Sequence, residues 1–388
     1  MRSSRCIFLL FLLCFGCLEP YTPPISYAGS NALVIDGYVD ANGNAFVKLS
    51  RTLPIDSYAN FPVEAGAAVT IQSSTGENFT LTESKPGEYA AANLPIVNQT
   101  TNYKLHIKTS ANLEYESDDV QVHSTPVVGR VYFQTSATGE SIEVKTDSRD
   151  TDPNATGYYG YESIETYEYH SSYFSRYKRI DGVPHLRVRG EFVDTCWRDE
   201  RIPIVLASTK KLSTNLIFGK VISILPKQSP KISMRYSILV KLRAMSEHEY
   251  NYRAQLAKTN NGQNSIFAEI PGAVLGNVHS VTNPDEFVFG YFWGQEVEQH
   301  RFFIENSELP FEFQAEPPLG QGCDLETTCP VNAPVEGPSQ CIDVVLLSDT
   351  KILISSFEFQ NFVVYTFTPN ECGDCRIKGG TTQRPWYW

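Results

Sequence analysis

The chain has 388 residues and a formal net charge of −12 at pH 7, from 44 acidic and 32 basic side chains. That acidic balance argues against nucleic acid as a partner and against electrostatic adhesion to anionic lipid. Once a leader is set aside, about 370 residues remain, enough for two or three domains with a sizeable core.

The chain opens with an export pattern. Arg2 and Arg5 precede an apolar run from Ile7 to Phe15, and small Gly16 stands just before Cys17. The run is about half the roughly 20 apolar residues that a spanning helix needs, so a transmembrane helix is disfavoured. The "FGC" step resembles a bacterial lipobox, with Cys14 where Leu is commoner. Residues 1–16 then form a lipoprotein signal, and Cys17 carries fatty acyl chains such as palmitate. Two or more chains of that kind hold a protein stably on a bilayer. Residues 17–30 contain three prolines and no apolar period, which reads as an extended tether.

Residues 31–123 read as an antiparallel β-sandwich. "ALVIDGYVD" is followed by Asn42-Gly43, a strong hairpin signal. The runs "AFVKLSR", "AVTIQSS", "NFTLTE" and "NYKLHIK" alternate apolar and polar residues, and "LEYESDDVQV" closes the series. "HSTPVVG" (His123 to Gly129) forms a joint, and residues 124–388 form a larger β-rich domain. Its clearest strand is "SMRYSILVKLR", which places Met234, Tyr236, Ile238, Val240 and Leu242 on one face. "FVFGYFW" and "NFVVYTFT" are apolar enough for central strands. One helix near 246–258 interrupts the strands. Ser246 and Glu249 form its capping box, Met245 and Tyr250 its hydrophobic staple, and Tyr250, Ala254 and Ala257 face a sheet. The terminal "PWYW" is expected to dock onto the domain, since exposing it to water is costly.

The chain holds nine cysteines. Setting aside Cys6, Cys14 and the anchor Cys17 leaves Cys196, Cys323, Cys329, Cys341, Cys372 and Cys375. An even set in an exported chain predicts up to three disulfides, and about fifteen pairings are open for six cysteines. Cys372-Gly373-Asp374-Cys375 has a C-x-x-C spacing, but zinc and thioredoxin-like redox settings are the weaker readings.

Asp150, Asp152 and Asn154 have the alternate spacing of a calcium loop. Ala155 and Tyr161 stand where such a loop needs Gly and Glu, so a polar turn is the plainer reading, and no metal or cofactor is assigned. Among the aromatics from Tyr158 to Tyr177, the residues Tyr167, Tyr169, Tyr173, Phe174 and Tyr177 are candidates to contact a protein partner or a sugar ring. The stretch "HSSYFSRYKRIDG" reads as a hairpin extension. The seven histidines form no H-E-x-x-H pair, and the chain has no G-x-S-x-G elbow and no phosphate loop. A glycoside hydrolase needs only two carboxylates brought together in space, so a pocket with paired acids beside aromatics would favour that class.

Several stretches together resemble a Bacteroidota outer-membrane lipoprotein family of unknown function: "CLEPY", "LVIDGYV", "VKLSRT", Cys196-Trp197, "YSILVKLRAMSEHEYNY", "GNVHSV", "FVFGYF" and "CGDCRIKGGTTQRPWYW". The resemblance implies an all-β chain with an Ig-like or transthyretin-like N-terminal sandwich. It also implies a genetic neighbourhood of TonB-dependent outer-membrane transporters, and it assigns no catalytic residue. The expected function is a non-enzymatic accessory lipoprotein that partners a TonB-dependent barrel in ligand capture or import. An assembly subunit of an envelope complex and an exported glycan-active hydrolase are the alternatives. The expected location is the outer membrane, at the cell surface rather than the periplasmic face, although Glu19 alone represents the acidic run that often directs surface export.

Overall fold

The computed structural model describes residues 31–53, 61–95, 99–152, 154–181, 183–262, 274–314, 322–327, 349–359 and 362–388. The leader, Cys17, the tether, Cys329 and Cys341 lie outside them. The fold is all-β, as the alternation requires.

The first sandwich is built from β1 (Leu33–Asp40), β2 (Ala45–Arg51), β3 (Ala68–Ser73), β4 (Asn78–Lys85), β5 (Glu88–Ala91), β6 (Asn102–Lys108), β7 (Glu114–Ser117) and β8 (Val120–Gln121). Alternate residues of β1, β2 and β6 point inward and bury Leu33, Ile35, Val47, Leu49, Leu105 and Ile107 in one core. β4 joins the two layers: Asn78 to Leu81 pair with β3, and Thr82 to Lys85 pair with β5. In the β1–β2 turn Gly43 takes a left-handed φ of 78°, and the Asp40 carboxylate accepts the Asn42 and Asn44 backbone N–H groups.

The expected break at residue 123 is revised by two later strands. β17 (Val278–Ser280) pairs with β7, and β18 (Phe289–Gln295) lies parallel to β1, with Tyr38 opposite Trp293. The first sandwich is therefore discontinuous in sequence. β18 completes it because its inward residue Phe292 is fully buried in the same core. Gly290 makes the approach possible. Its φ is +96°, and a Cβ there would fall 1.7 Å from the Ile35 carbonyl oxygen. β18 ends the strand order of its sheet, so the expectation of a central strand for "FVFGYFW" is corrected.

The second sandwich packs two sheets. One has the order β14 (Thr195–Ser208), β11 (Tyr158–His170), β16 (Arg235–Ala244), β19 (Glu298–Glu305), and the other β15 (Leu216–Pro226), β10 (Ser141–Arg149), β9 (Val128–Thr135). Tyr236, Ile238, Val240 and Leu242 fill its core, while Met234 precedes β16 and is exposed. Glu165 is buried inside. It accepts from Ser223 Oγ at 2.5 Å and Tyr236 Oη at 2.8 Å, and it pairs with Lys231 Nζ at 2.5 Å. Lys231 also reaches Glu200, 2.7 Å away. A buried carboxylate is tolerable only when paired and hydrogen-bonded in this way.

The C-terminal module has β20 (Glu326–Thr327), β21 (Lys351–Phe359) and β22 (Phe362–Pro369), with β22 central as its composition predicted. The expected hairpin extension is present as β12 (Tyr177–Ile180) and β13 (Val183–Leu186), and Ser175 Oγ ties it to the Leu353 carbonyl. Two disulfides, Cys196–Cys375 and Cys323–Cys372, fasten the module. The two cysteines of the C-x-x-C stretch thus bond to different partners. Cys372 ends in the short helix α2 (Asn370–Gly373), while Cys375 turns toward β14. Of the terminal aromatics, Tyr387 and Trp388 dock on the outer face of the β14–β11–β16–β19 sheet, where Trp388 Nε1 donates to Glu168 at 2.8 Å. Arg301 lies 3.6 Å from the Tyr387 ring centroid. Trp386 is 94% exposed and does not dock.

Peptide mapping without reduction is expected to recover Cys196–Cys375 and Cys323–Cys372 linkages and no Cys372–Cys375 ring. Removing the Cys196–Cys375 bond by double substitution to Ala should cost about 2–5 kcal/mol in denaturant unfolding.

Candidate functional site between the sandwiches

Alternation fixes which side chains of β1 and β2 face out. Inward Ile35, Gly37 and Val39 leave Asp36 and Tyr38 outward, and Phe46 is outward on β2. The register then builds a row across three strands: Phe46 opposite Tyr38, and Tyr38 opposite Trp293. Their ring centroids are 6.2 Å and 5.9 Å apart. This aromatic row faces the outer side of β11, β14 and β16. Between them runs a cleft of about 560 Å³, lined also by Asp36, Glu162, Arg201, Lys241 and Arg253. Pockets of this kind at domain junctions, with a few placed polar groups, are the common form of a small-ligand site.

An ion cluster holds the end of the cleft. The helix α1 (Glu247–Gly262) begins where β16 ends. Ser246 Oγ accepts the Glu249 backbone N–H at 3.1 Å, as its capping position predicted. The Glu249 carboxylate is committed to Arg243 at 2.7 Å and Arg253 at 2.7 Å. Arg243 and Glu249 are each only 2% exposed. Glu249 is the one buried residue of the helix among those with described burial, and ring contacts of His248 and Tyr252 with Tyr291 add to its anchoring. Of the expected staple, Met245 is buried over Gly160 and Tyr250 packs on Tyr158, 5.0 Å between centroids. Both guanidinium groups lie over Trp293, at 5.4 and 4.8 Å from its ring centroid. The cluster therefore orients the ring that ends the aromatic row.

Electrostatics distinguish the two cleft carboxylates. Asp36 is accessible at the cleft mouth, yet the walls crowd its carboxyl. That desolvation pushes its pKa up against the pull of Arg253, and the charge of Glu162 adds to the rise. Glu162 sits 3.3 Å from Arg243 Nε. On the far side of Trp293 a second cleft, about 390 Å³, is lined by Asp118, His123, His248 and Tyr291. Burial lowers the His123 pKa there, so its ring is held toward the neutral form.

The residues singled out from sequence lie elsewhere. Tyr167 and Tyr169 are 5% and 6% exposed, so they are core and not contact surface. Inward alternation on β11 buries them, and their hydroxyls donate to Glu200 and to the Cys375 carbonyl. Tyr173 donates to the Cys323 carbonyl, and Tyr177 shares a hydrogen bond with Ser356. Phe174 is exposed against Phe192. Asp150 and Asp152 accept backbone N–H groups of Asp152 and Asn154, and Asp150 also takes the Tyr159 hydroxyl. These are turn contacts, and among the described residues no group of three or more His, Cys, Asp or Glu side chains is placed to hold a metal. The cleft residues Asp36, Tyr38, Phe46, Glu162 and Trp293 form no catalytic or binding motif. Besides the family stretch "LVIDGYV" that holds Asp36 and Tyr38, their local signal is an outward aromatic or acid on a strand whose other face is apolar.

Fold and site together define a two-sandwich β-protein with an aromatic-lined cleft at the junction. A family profile described as "Domain of unknown function (DUF4249)" matches residues 18–301, so the chain belongs to that family. The matched span covers both sandwiches and stops within β19, before the disulfide-fastened module. No curated protein matches the chain. Among solved structures, one match is the crystal structure of trypsin activated alpha-2-macroglobulin from Escherichia coli. It is 12% identical and covers 57% of this chain and 15% of that one, with a TM-score of 0.18. The chain thus spans about 15% of that protein's length, and the likeness carries no argument.

The pH dependence of the ion cluster has a definite sign. Burial pushes the Glu249 carboxyl up, but Arg243 and Arg253 outweigh it and hold it below its ordinary value. Its contribution is therefore complete above the unfolded-state pKa of about 4.3 and is lost as pH falls through the lower folded value. Denaturation at several pH values should show this acid-side loss, and Glu249→Gln should remove it. At neutral pH that substitution should cost about 3 kcal/mol, because Arg243 stays buried and keeps only Glu162, 3.3 Å away, as its charged partner.

Proposed function

We propose that this chain is an exported, lipid-anchored accessory protein of the outer membrane. In this reading it captures a ligand in the inter-sandwich cleft and passes it to a TonB-dependent barrel, without chemical turnover. The leader pattern and Cys17 support the anchor. Two disulfides suit an oxidising compartment outside the cytosol. The barrel partner rests on the resemblance of the sequence to Bacteroidota outer-membrane lipoproteins. The observation that carries the capture reading is the row Phe46–Tyr38–Trp293 facing charged side chains across a cleft. Flat rings with few rotors bind a sugar face at low entropic cost, and the charged rim can take its hydroxyl groups.

One observation favours a second reading, an exported glycan-active hydrolase. Asp36 and Glu162 line the same cleft as the aromatics, and Asp36 is pushed toward the protonated form. A carboxyl so tuned suits a general acid.

Binding to an oligosaccharide array, followed by titration of the best ligand, tests both. Under the capture reading the wild type binds and leaves the glycan intact, and Trp293→Ala weakens binding at least tenfold, about 1.4 kcal/mol. Under the hydrolase reading the wild type cleaves it, and Asp36→Asn binds without cleaving. Undiminished binding by both Trp293→Ala and Tyr38→Ala would remove the cleft from either account. Cys17→Ala should move the protein from the membrane to the soluble fraction. If it stays with the outer membrane as tightly as wild type, a protein partner and not lipid holds it. Purification from detergent with mass spectrometry should return a single barrel, whereas a many-subunit complex would indicate an assembly role.

A further inference from the structure

A separate cavity of about 180 Å³ lies in the C-terminal module, between the β12–β13 hairpin, β21 and the segment around Cys372 and Cys375. The Cys323–Cys372 and Cys196–Cys375 bonds fasten the segment that closes it. Its lining has four cationic side chains, Lys178, Arg179, Arg187 and Lys351, and one carboxylate, Asp374. That is a local excess of positive charge in a chain whose net charge is −12.

The neighbouring acids do not answer this lining from within. Asp374 is already committed to Arg376, whose Nε and Nη2 donate to it at 2.9 and 2.6 Å. Arg179 pairs with Asp349 at 3.1 Å, and Lys351 pairs with Glu326. Asp349 is 98% exposed, and Glu326 is mostly in solvent, so both pairs sit at the rim and are worth little. Lys178 pairs with Glu191, which does not line the cavity.

Arg187 is the group left over. Its Nη1 donates to the Glu191 carbonyl at 3.0 Å. Its Nε is buried and has no hydrogen-bond acceptor among the described residues. Burial, with the nearby charge of Arg376, lowers its pKa, so the guanidinium sits in surroundings that disfavour a cation. A cavity lined by four cations, one of them a guanidinium whose hydrogen bond goes to a carbonyl and not to a carboxylate, is the complement of an oxyanion.

We propose that this cavity binds a phosphomonoester, with the Arg187 guanidinium, Lys178, Arg179 and Lys351 as its countercharges. A phosphomonoester carries close to two negative charges at neutral pH and several strong acceptor oxygens, which matches four cations better than a carboxylate does. The Tyr177 and Ile377 side chains also line the cavity and offer apolar surface to the ester's substituent. The phosphate can come from a soluble sugar phosphate or from a lipid headgroup, and the test separates the two.

The test is calorimetric titration of the full-length protein in nonionic detergent. The probes are glucose 6-phosphate and dihexanoylphosphatidic acid, with glucose as the control. Binding of the first identifies a soluble ester, and binding of the second alone identifies a lipid phosphate; either supports the site, provided it depends on Arg187. Arg187→Gln should weaken binding at least tenfold, and Arg187→Lys should recover only part of it, since the charge returns without the fork. Lys351→Gln, remote from the Arg187–Glu191 contact, should weaken binding several-fold even if Arg187→Gln disturbs the loop. No binding of either probe at millimolar concentration would overturn the proposal. So would affinity unchanged in both Arg187→Gln and Lys351→Gln.

Discussion

The carboxylate of Glu249, held between Arg243 and Arg253, is the contact on which the junction of the two sandwiches depends. It joins the last turn of β16 to the first turn of α1 and places two guanidinium groups over Trp293. A buried pair of this kind contributes little net stability relative to a well-packed apolar substitute. Its value here is directional. Apolar residues would bury the same surface without fixing a ring angle, whereas charge-assisted contacts have preferred geometry. Glu249 is the buried contact of a helix whose other anchors are ring contacts, Tyr250 on Tyr158 and both His248 and Tyr252 on Tyr291.

The second constraint is that the chain must return to its first sandwich after building most of the second. β18 adds to β1 in parallel, and the joint at Thr125 closes the loop. Thr125 Oγ1 donates to the Glu296 carbonyl and accepts the Ala244 backbone N–H, and Glu296 Oε2 accepts the Thr125 N–H. The two sandwiches are thus tied by side-chain-to-backbone hydrogen bonds near the strand that carries Trp293. A cleft formed at such a seam has walls from both bodies, and its shape is as rigid as the seam. Pre-formed walls reduce the ordering cost of holding a ligand.

Much of the strand layout was legible. Period-2 alternation identified β1, β2, β3, β4, β6 and β16, and composition identified β22. Ser246 marked the helix start, since a hydroxyl at that position caps free N–H groups. The aromatic cluster from Tyr158 to Tyr177 misled because alternation gives two faces without saying which is covered. On β11 Tyr169 is covered by the Cys375–Gly380 segment and Tyr167 by Lys231 and Glu200, whereas the face carrying Glu162 and Ile164 opens to the cleft. The C-x-x-C cysteines were legible as disulfide formers but not in their pairing, because the turn after α2 sends Cys372 and Cys375 to partners 49 and 179 residues away.

Sequence by itself determined the all-β class, the faces of individual strands and the start of the helix, because each is set by residues within a few positions of one another. Only the tertiary structure decided that β18 adds to β1, which cysteines join, and that Tyr38, Phe46 and Trp293 form one row. Those outcomes depend on contacts between segments separated by tens to hundreds of residues. A local pattern states that a side chain points outward; what stands opposite it is fixed by how the whole chain closes on itself.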